Sequence, residues 1–243
     1  MNRFYIDDDL QMDGLYLSPE DVHHAKNVLR LKVGDPVEII YRQCRYAAVI
    51  AETSAEGTRV IPGSPLPSTE SSLKITLFQG LPKSDKMDWI VQKAVELGAY
   101  KIIPVQMARS VVRLNSQDGR KKADRWRKIA REAGKQSGRC ILPEVSDPVA
   151  FNHLSDYLSS LDAVAVPWES CTAGGPKNFV SGHTDIRSLG IIIGPEGGIT
   201  DEEIAVLEKE RCIPVTLGPR ILRTETAGLA SIAAFLSLYG EME

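Results

Sequence analysis

The chain has 243 residues, 43% hydrophobic and 25% charged, which excludes a disordered or collagen-like polymer and leaves room for one large domain or two small ones. No apolar stretch approaches the ~18 residues that a membrane-spanning helix needs, so no partnership with a membrane is expected. The net charge of −3 conceals an asymmetry: 7 basic against 11 acidic residues over 1–72, 16 against 6 over 73–142, and 6 against 15 over 143–243. A middle segment at +10 between acidic flanks suits a polyanion-facing surface, and it equally describes a solvated basic helix.

The opening Met1-Asn2-Arg3-Phe4-Tyr5 runs into Asp7-Asp8-Asp9 without the apolar core of an export signal, so a cytoplasmic protein is expected. Short β-type runs at Arg3–Ile6, Val37–Tyr41, Tyr46–Ala51 and Thr58–Ile61 predict a small β-rich module. One helix interrupts it, with Ser18 as N-cap, Pro19 in the first helical position and Glu20 and Asp21 at the positive end. Val22, Ala25 and Leu29 form its apolar side. From Pro62 to Ser72 prolines and serines alternate, which reads as a stiff connector and a domain break.

Beyond it strands and helices alternate. Leu73–Gln79 predicts a strand. Ser84 is the expected cap of a helix carrying Met87, Ile90, Val91, Ala94 and Leu97 on one side, and Gly98 ends it. Lys101–Met107 is the next strand. A basic helix follows from about Ser116 to Ser137, with Trp126, Ile129, Ala130 and Ala133 as its buried stripe. Leu161–Val166 is a third strand, and Cys171–Ser188 reads as loop-rich. The unbroken run Leu189–Ile193 fits a strand buried on both faces. Thr200 with Glu203 predicts a capping box, and Ile199 with Ile204 a hydrophobic staple. Cys212–Leu217 is the last strand, and a helix runs from there to about Tyr239. Five strands alternating with helices indicate an α/β sheet, mostly parallel. The cysteines 44, 140, 171 and 212 are far apart and form no CxxC, so reduced thiols and no metal site are expected.

Two strand-end loops stand out: Gly194-Pro195-Glu196-Gly197-Gly198, and Gly218-Pro219-Arg220-Ile221-Leu222-Arg223-Thr224-Glu225-Thr226-Ala227. Neither has the spacing of a dinucleotide or P-loop phosphate cradle. Thr200-Asp201-Glu202-Glu203 places carboxylates at a helix start that would otherwise attract phosphate, so the first loop suits a neutral or cationic ligand. Two tight turns with no ligand have the same composition. Arg220 and Arg223 flank an apolar pair, which fits an anion contact beside a ligand wall; Glu225 neutralising an arginine is the structural alternative.

These two loops resemble the bacterial 16S ribosomal RNA uridine-N3 methyltransferase family, within the SPOUT class of S-adenosylmethionine enzymes. Further matching segments are His24 with Val28-Leu29-Arg30, Lys86 with Gln92-Lys93 and Glu96-Leu97-Gly98, and Glu132-Ala133 with Gln136-Ser137-Gly138-Arg139. The resemblance spans nearly the whole chain. It implies a PUA-like RNA-binding β-barrel over residues 1–70. It also implies a SPOUT-type knotted, mostly parallel sheet with helices on both faces over 73–243, ending in a C-terminal trefoil knot. The implied protein is a homodimer acting on 16S ribosomal RNA within the small ribosomal subunit.

The resemblance places S-adenosylmethionine against Val166, Pro167, Gly194, Pro195, Glu196, Gly198, Leu217, Gly218, Leu222, Thr224 and Ala227. The implied reaction needs a cation to favour the uridine anion, for which Arg109, Arg223 and Arg131 are candidates. It also needs a carboxylate to take the N3 proton, and Glu225 and Glu196 both remain open. RNA phosphates are then expected at Arg3, His24, Arg30, Lys83, Lys86, Arg131 and Arg139.

Overall fold

Alternating apolar residues give the N-terminal segment one buried sheet face. The computed structural model describes residues 2–6, 15–54 and 57–242, and the acidic run Asp7–Asp9 lies outside them. The chain divides into two compact units: Met1–Glu70 with Gly138–Ile141, and Ser71–Ser137 with Leu142–Glu243.

In the first unit β1 (Arg3–Tyr5), β2 (Leu15–Tyr16), β3 (Pro36–Tyr41), β4 (Cys44–Thr53) and β5 (Thr58–Leu66) form a sheet of order β1-β3-β4-β5-β2. Register shifts in the β4–β5 pair, between Tyr46 and Ala48 and between Ile50 and Glu52, bend and twist the sheet. Phe4, Val37, Ile39, Ile50 and Val60 share its core with Ala25. The helix α1 (Pro19–His23) starts as expected, with the Ser18 hydroxyl accepting from the Asp21 N–H at 3.2 Å. A π-helical turn, His24–Val28, continues it. The connector expected from Pro62 starts later, because Pro62 and Pro65 still pair with Ala48 and Tyr46 of β4. β2 pairs only with Arg59 and Val60, so beyond them β5 is a sheet edge, where a proline lacking its N–H leaves no ladder bond unmade.

Glu70 anchors the Gly138–Ile141 segment within this unit. Its carboxylate accepts from Arg139 Nη2 at 2.7 Å and Nε at 2.9 Å, and from the N–H groups of Cys140 at 2.6 Å and Ile141 at 3.1 Å. The Tyr5 hydroxyl donates to the Arg139 carbonyl. Burial, the largest influence on that hydroxyl, raises its pKa well above the usual phenol range.

The second unit contains β6 (Lys74–Gly80), α2 (Lys86–Glu96), β7 (Lys101–Gln106), α3 (Ser116–Ser137), β8 (Glu144–Val145) and β9 (Val149–Ala150). After them come α4 (Ser155–Leu158), β10 (Ala163–Pro167), α5 (Pro176–Gly182), β11 (Ser188–Ile193), α6 (Asp201–Lys209), β12 (Ile213–Val215) and α7 (Thr224–Leu238). The sheet runs β12-β10-β11-β6-β7-β8, with β9 also beside β7. All of these pairs are parallel.

Successive strand residues point to opposite faces, and both faces are covered. Leu77, Ile102, Ala165 and Ile191 enter one core with Ile90, Trp126 and Phe235. Phe78, Ile103, Val166 and Ile192 enter the other with Leu158, Ile204 and Leu207. Each such fully buried aliphatic side chain contributes about 1.5–3 kcal/mol. The Thr200–Glu203 capping box is formed, stabilising α6 by about 1 kcal/mol. Ser84 does not cap α2: its φ of +54° turns the chain the left-handed way, and Asp85 is the N-cap. The stretch Cys171–Ser188, read as loop-rich, also holds α5, with Pro176 at the first helical position.

Candidate active site

Strand order reverses beside β6: the chain leads from it to β7 on one side, while β11 lies on the other. Such switch points open a crevice outside the carboxyl ends of the strands. A cleft of about 880 Å³ lies there, lined by Pro167 and Trp168 at the end of β10, residues 193–199 from the end of β11 and residues 216–224 after β12, with Lys86 and Ala227.

The walls follow from local chemistry. A Cβ on Gly80 would lie 2.5 Å from the Pro195 nitrogen, so only glycine lets the first loop pass over the end of β6. The turn in that loop is closed by the Gly198 N–H donating to the Pro195 carbonyl at 2.9 Å. Gly218 has φ +97° with open space where a Cβ would stand, so conformation rather than crowding calls for glycine there. Beneath the cleft, Gln79 Nε2 donates to Thr224 Oγ1 at 2.8 Å, and Thr224 Oγ1 donates to the Gly194 carbonyl at 2.6 Å. Hydrogen bonds thus join β6 to both loops.

Lys86 Nζ bridges the loops at the surface, 3.1 Å from Glu196 Oε1 and 3.2 Å from Glu225 Oε2. Hydrogen bonds donated by its ammonium to Glu196 first, then Glu225, raise the Lys86 pKa above its usual value. Burial pushes the Glu196 carboxyl up, but its own backbone N–H, Lys86 and the Lys83 N–H outweigh that and hold it below the usual carboxylate range. Two carboxylates against one ammonium leave this corner at net −1, which favours a cation nearby. Arg220 and Arg223 are exposed on the second loop, and neither makes an ion pair or side-chain hydrogen bond among the described residues. Arg109 packs under the first loop and donates from Nη1 to the Gly197 carbonyl at 2.9 Å.

A sequence model of the RNA methyltransferase domain matches residues 69–236, and one of the RNA methyltransferase PUA domain matches residues 17–57. The chain belongs to the RNA methyltransferase family. It is 38% identical over 225 residues to the Bacillus subtilis protein named ribosomal RNA small subunit methyltransferase E, covering 90% of this chain and 88% of the relative. A methyltransferase of that name from Neisseria gonorrhoeae, solved bound to S-adenosyl methionine, is 30% identical with a TM-score of 0.79 and 98% of both chains covered. A putative methyltransferase from Legionella pneumophila, solved with bound SAM, is 30% identical with a TM-score of 0.81, covering 97% of this chain and 96% of that one.

In this RNA methyltransferase the structure gathers Pro167, Gly194, Pro195, Glu196, Gly198, Leu217, Gly218, Leu222, Thr224 and Ala227 around the cleft. Val166, expected with them, lies behind it with its side chain wholly buried in the core. Arg223 lines the cleft, Glu225 reaches it through Lys86, and Arg109 through the Gly197 carbonyl. The expected RNA contacts scatter more. His24, Arg30 and Lys83 are exposed and Arg131 is half-buried on α3. Arg3 pairs with Glu38 at 2.8 Å, and Lys86 belongs to the carboxylate cluster. Arg139 is 4% exposed, and the Glu70 carboxylate takes up its guanidinium at 2.7 Å.

Two residues at the cleft escaped the sequence reading. Glu169 packs against the first loop, its Oε1 2.5 Å from where a Cβ on Gly198 would stand, and no spacing marks it. Gln79 carried a usable signal, since it is a lone amide closing the buried run Ile75 to Phe78. Among the described residues, no group of three or more His, Cys, Asp or Glu is placed to hold a metal, and no helix is long and apolar enough to cross a membrane.

Proposed function

We propose that the protein transfers a methyl group from S-adenosylmethionine to N3 of a uridine in the RNA of the small ribosomal subunit. The observation that carries this reading is the cleft itself, with a net-negative cluster of Glu196, Glu225 and Lys86 at one corner and, on the loop that also carries Glu225, Arg220 and Arg223, which no carboxylate engages among the described residues. The names of the Bacillus subtilis and Neisseria gonorrhoeae relatives, and the S-adenosyl methionine bound by the latter, support the substrate and the cofactor.

The residues present fit the cofactor. A cleft of about 880 Å³ is of the size that buries a nucleoside-sized molecule. Pro167, Leu217 and Leu222 supply apolar wall, and the backbone of Gly198 and Gly218 is accessible to a heterocycle. The net-negative corner suits a sulfonium. When bound, the cofactor supplies an electrophilic methyl group.

Uridine N3 carries a proton near neutral pH, far above the range in which a carboxylate takes one readily. The protein must therefore stabilise the anion spread over O2 and O4, and the Arg223 guanidinium does so. Glu225 receives the N3 proton; Glu196, held below the usual carboxylate range, is not assigned that role. Arg109 steadies the first loop through the Gly197 carbonyl.

His24 and Arg30 on the first unit, and the exposed Lys121, Lys122 and Lys128 of α3, suit RNA phosphates. The working form is a homodimer. Trp89 on α2 is 53% exposed and Leu238 on the adjoining α7 is 41% exposed, while the outward side of α7 offers Thr226, Ala230 and Ser237 rather than charge. The C-terminal segment forms a trefoil knot. In support, the chain leaves β12 at one edge of the sheet and α7 returns to pack on β6 and β11 at its middle.

The test is to incubate the protein with methyl-labelled cofactor and small ribosomal subunits lacking the modification, then map the label. Label as N3-methyluridine at one position is expected. Label on another base or on ribose overturns the assignment of N3. RNA retention without transfer favours a binding module instead.

A further inference from the structure

Gln79 is wholly buried in the central strand β6, level with Ile193 of β11 and Pro104 of β7. Leucine fills a similar volume there without polar atoms to satisfy. The amide has defined partners instead. Nε2 donates to the Gly80 carbonyl at 3.1 Å and to Thr224 Oγ1 at 2.8 Å, which leaves the Thr224 proton for the Gly194 carbonyl at 2.6 Å. Turning the amide over would set its oxygen against the Gly80 carbonyl, two acceptors face to face, so the bonding pattern leaves one orientation. In that orientation Oε1 has no hydrogen-bond partner among the described residues and faces Gly228, where an added Cβ would stand 3.2 Å away. A buried unpaired oxygen is unfavourable for stability, so stability alone does not account for glutamine at this position. Thr224 and Gly194, the two groups it reaches, both line the cleft.

We infer that Gln79 is a positioning residue: through the Thr224 hydroxyl it holds the Gly194 carbonyl and sets the spacing of the two loops that receive S-adenosylmethionine. The inference rests on the methyltransferase reading of the cleft. It makes cofactor affinity depend on an amide that lies beneath the site.

Calorimetry with S-adenosylmethionine on the full chain tests it, using Gln79→Leu, Thr224→Val, Thr224→Ser and the Gln79→Leu/Thr224→Val double variant. Gln79→Leu and Thr224→Val are each expected to weaken binding about tenfold, or about 1.4 kcal/mol. The double variant is expected to be no weaker than the poorer single one, because both cut the same relay. Thr224→Ser keeps the hydroxyl and stays within about twofold of wild type. Ligand-free Gln79→Leu is expected to melt close to wild type, since removal of the unpaired oxygen offsets the two donated bonds that are lost. A Gln79→Leu protein that binds like wild type, whatever its melting temperature, overturns the inference and leaves the methyltransferase reading standing. If that variant does not fold, equal affinity of Thr224→Val and Thr224→Ser overturns it. A wild-type chain that takes up no cofactor overturns both the inference and the reading.

Discussion

In the N-terminal unit Arg3 and Arg45 converge on Glu38 at 2.8 and 3.1 Å, and Glu70 occupies the buried Arg139. In the cleft Arg220 and Arg223 stand exposed and meet no carboxylate among the described residues. All five carry the same charge. The first three commit it inside the protein, where it orders backbone and cancels neighbouring carboxylates. The last two keep their field available to a ligand. Function in this chain follows the partnering of a charge more closely than its presence.

The largest test of this contrast is at Arg139. Arg139→Ala leaves the Glu70 carboxylate buried without its cation and is expected to cost the N-terminal unit about 3–5 kcal/mol. Trp89, Trp126 and Trp168 all lie outside this unit, so hydrogen exchange of its amides, rather than tryptophan fluorescence, reads the loss. Unchanged protection together with weakened RNA binding would return Arg139 to the RNA surface.

Arg223→Ala is expected to show the opposite pattern. Turnover falls about 100-fold, equivalent to about 2.7 kcal/mol of transition-state stabilisation. Unfolding in urea shifts by less than about 0.5 kcal/mol, because no side-chain bond among the described residues is lost. A variant that loses both in proportion would make Arg223 another structural arginine.

The basic helix allows the same comparison within one element. Arg127 is engaged by Asp124 at 2.8 Å, Asp147 at 2.7 Å and the Val145 carbonyl at 2.9 Å. Lys121, Lys122 and Lys128 have no such partners among the described residues. Replacing those three lysines with alanine is expected to flatten the dependence of log affinity for RNA on log salt by about 2–3 units of slope. Arg127→Ala is expected to leave the slope unchanged. Equal slopes for the two variants would mean that helix charge acts as a diffuse field, and the partnering argument fails there.

Much of the fold was legible because its signals are local. The unbroken run from Leu189 to Ile193 is enough to reveal β11, and the Thr200–Glu203 box needs only four consecutive residues. The errors came where the deciding contact is distant. Pro62 and Pro65 looked unfit for a strand, and only the shortness of β2 makes their stretch an edge. Ser84 has the right side chain for a cap, but its left-handed backbone excludes that role. Arg139 and Glu70 are far apart in the chain, so the motif around Arg139 could not reveal that its charge is taken. The cleft loops were legible as loops, whereas the relay from Gln79 to Thr224 spans the length of the catalytic unit.

The smallest expected effect is a pH dependence at Glu38. Burial pushes its carboxyl up, but hydrogen bonds and charge from Arg3 and Arg45 outweigh that and hold it below the ordinary value of 4.5. As pH falls through that value the unfolded chain takes up a proton that the folded one still refuses, so folding weakens. The contribution is complete above the ordinary value and is lost as pH drops through the folded one, at no more than about 1.4 kcal/mol per pH unit for a single group. Glu196 in the other unit is held low in the same sense, so an acid transition of the whole protein does not isolate Glu38. The difference between wild type and Glu38→Gln does, read by hydrogen exchange of the N-terminal amides. That difference is expected to be constant above about pH 6 and to shrink below about pH 4.5. A difference that stays level through the acid range would mean that Arg3 and Arg45 hold the shape of this side chain and not its charge, and the contrast with the cleft arginines would lose its electrostatic basis.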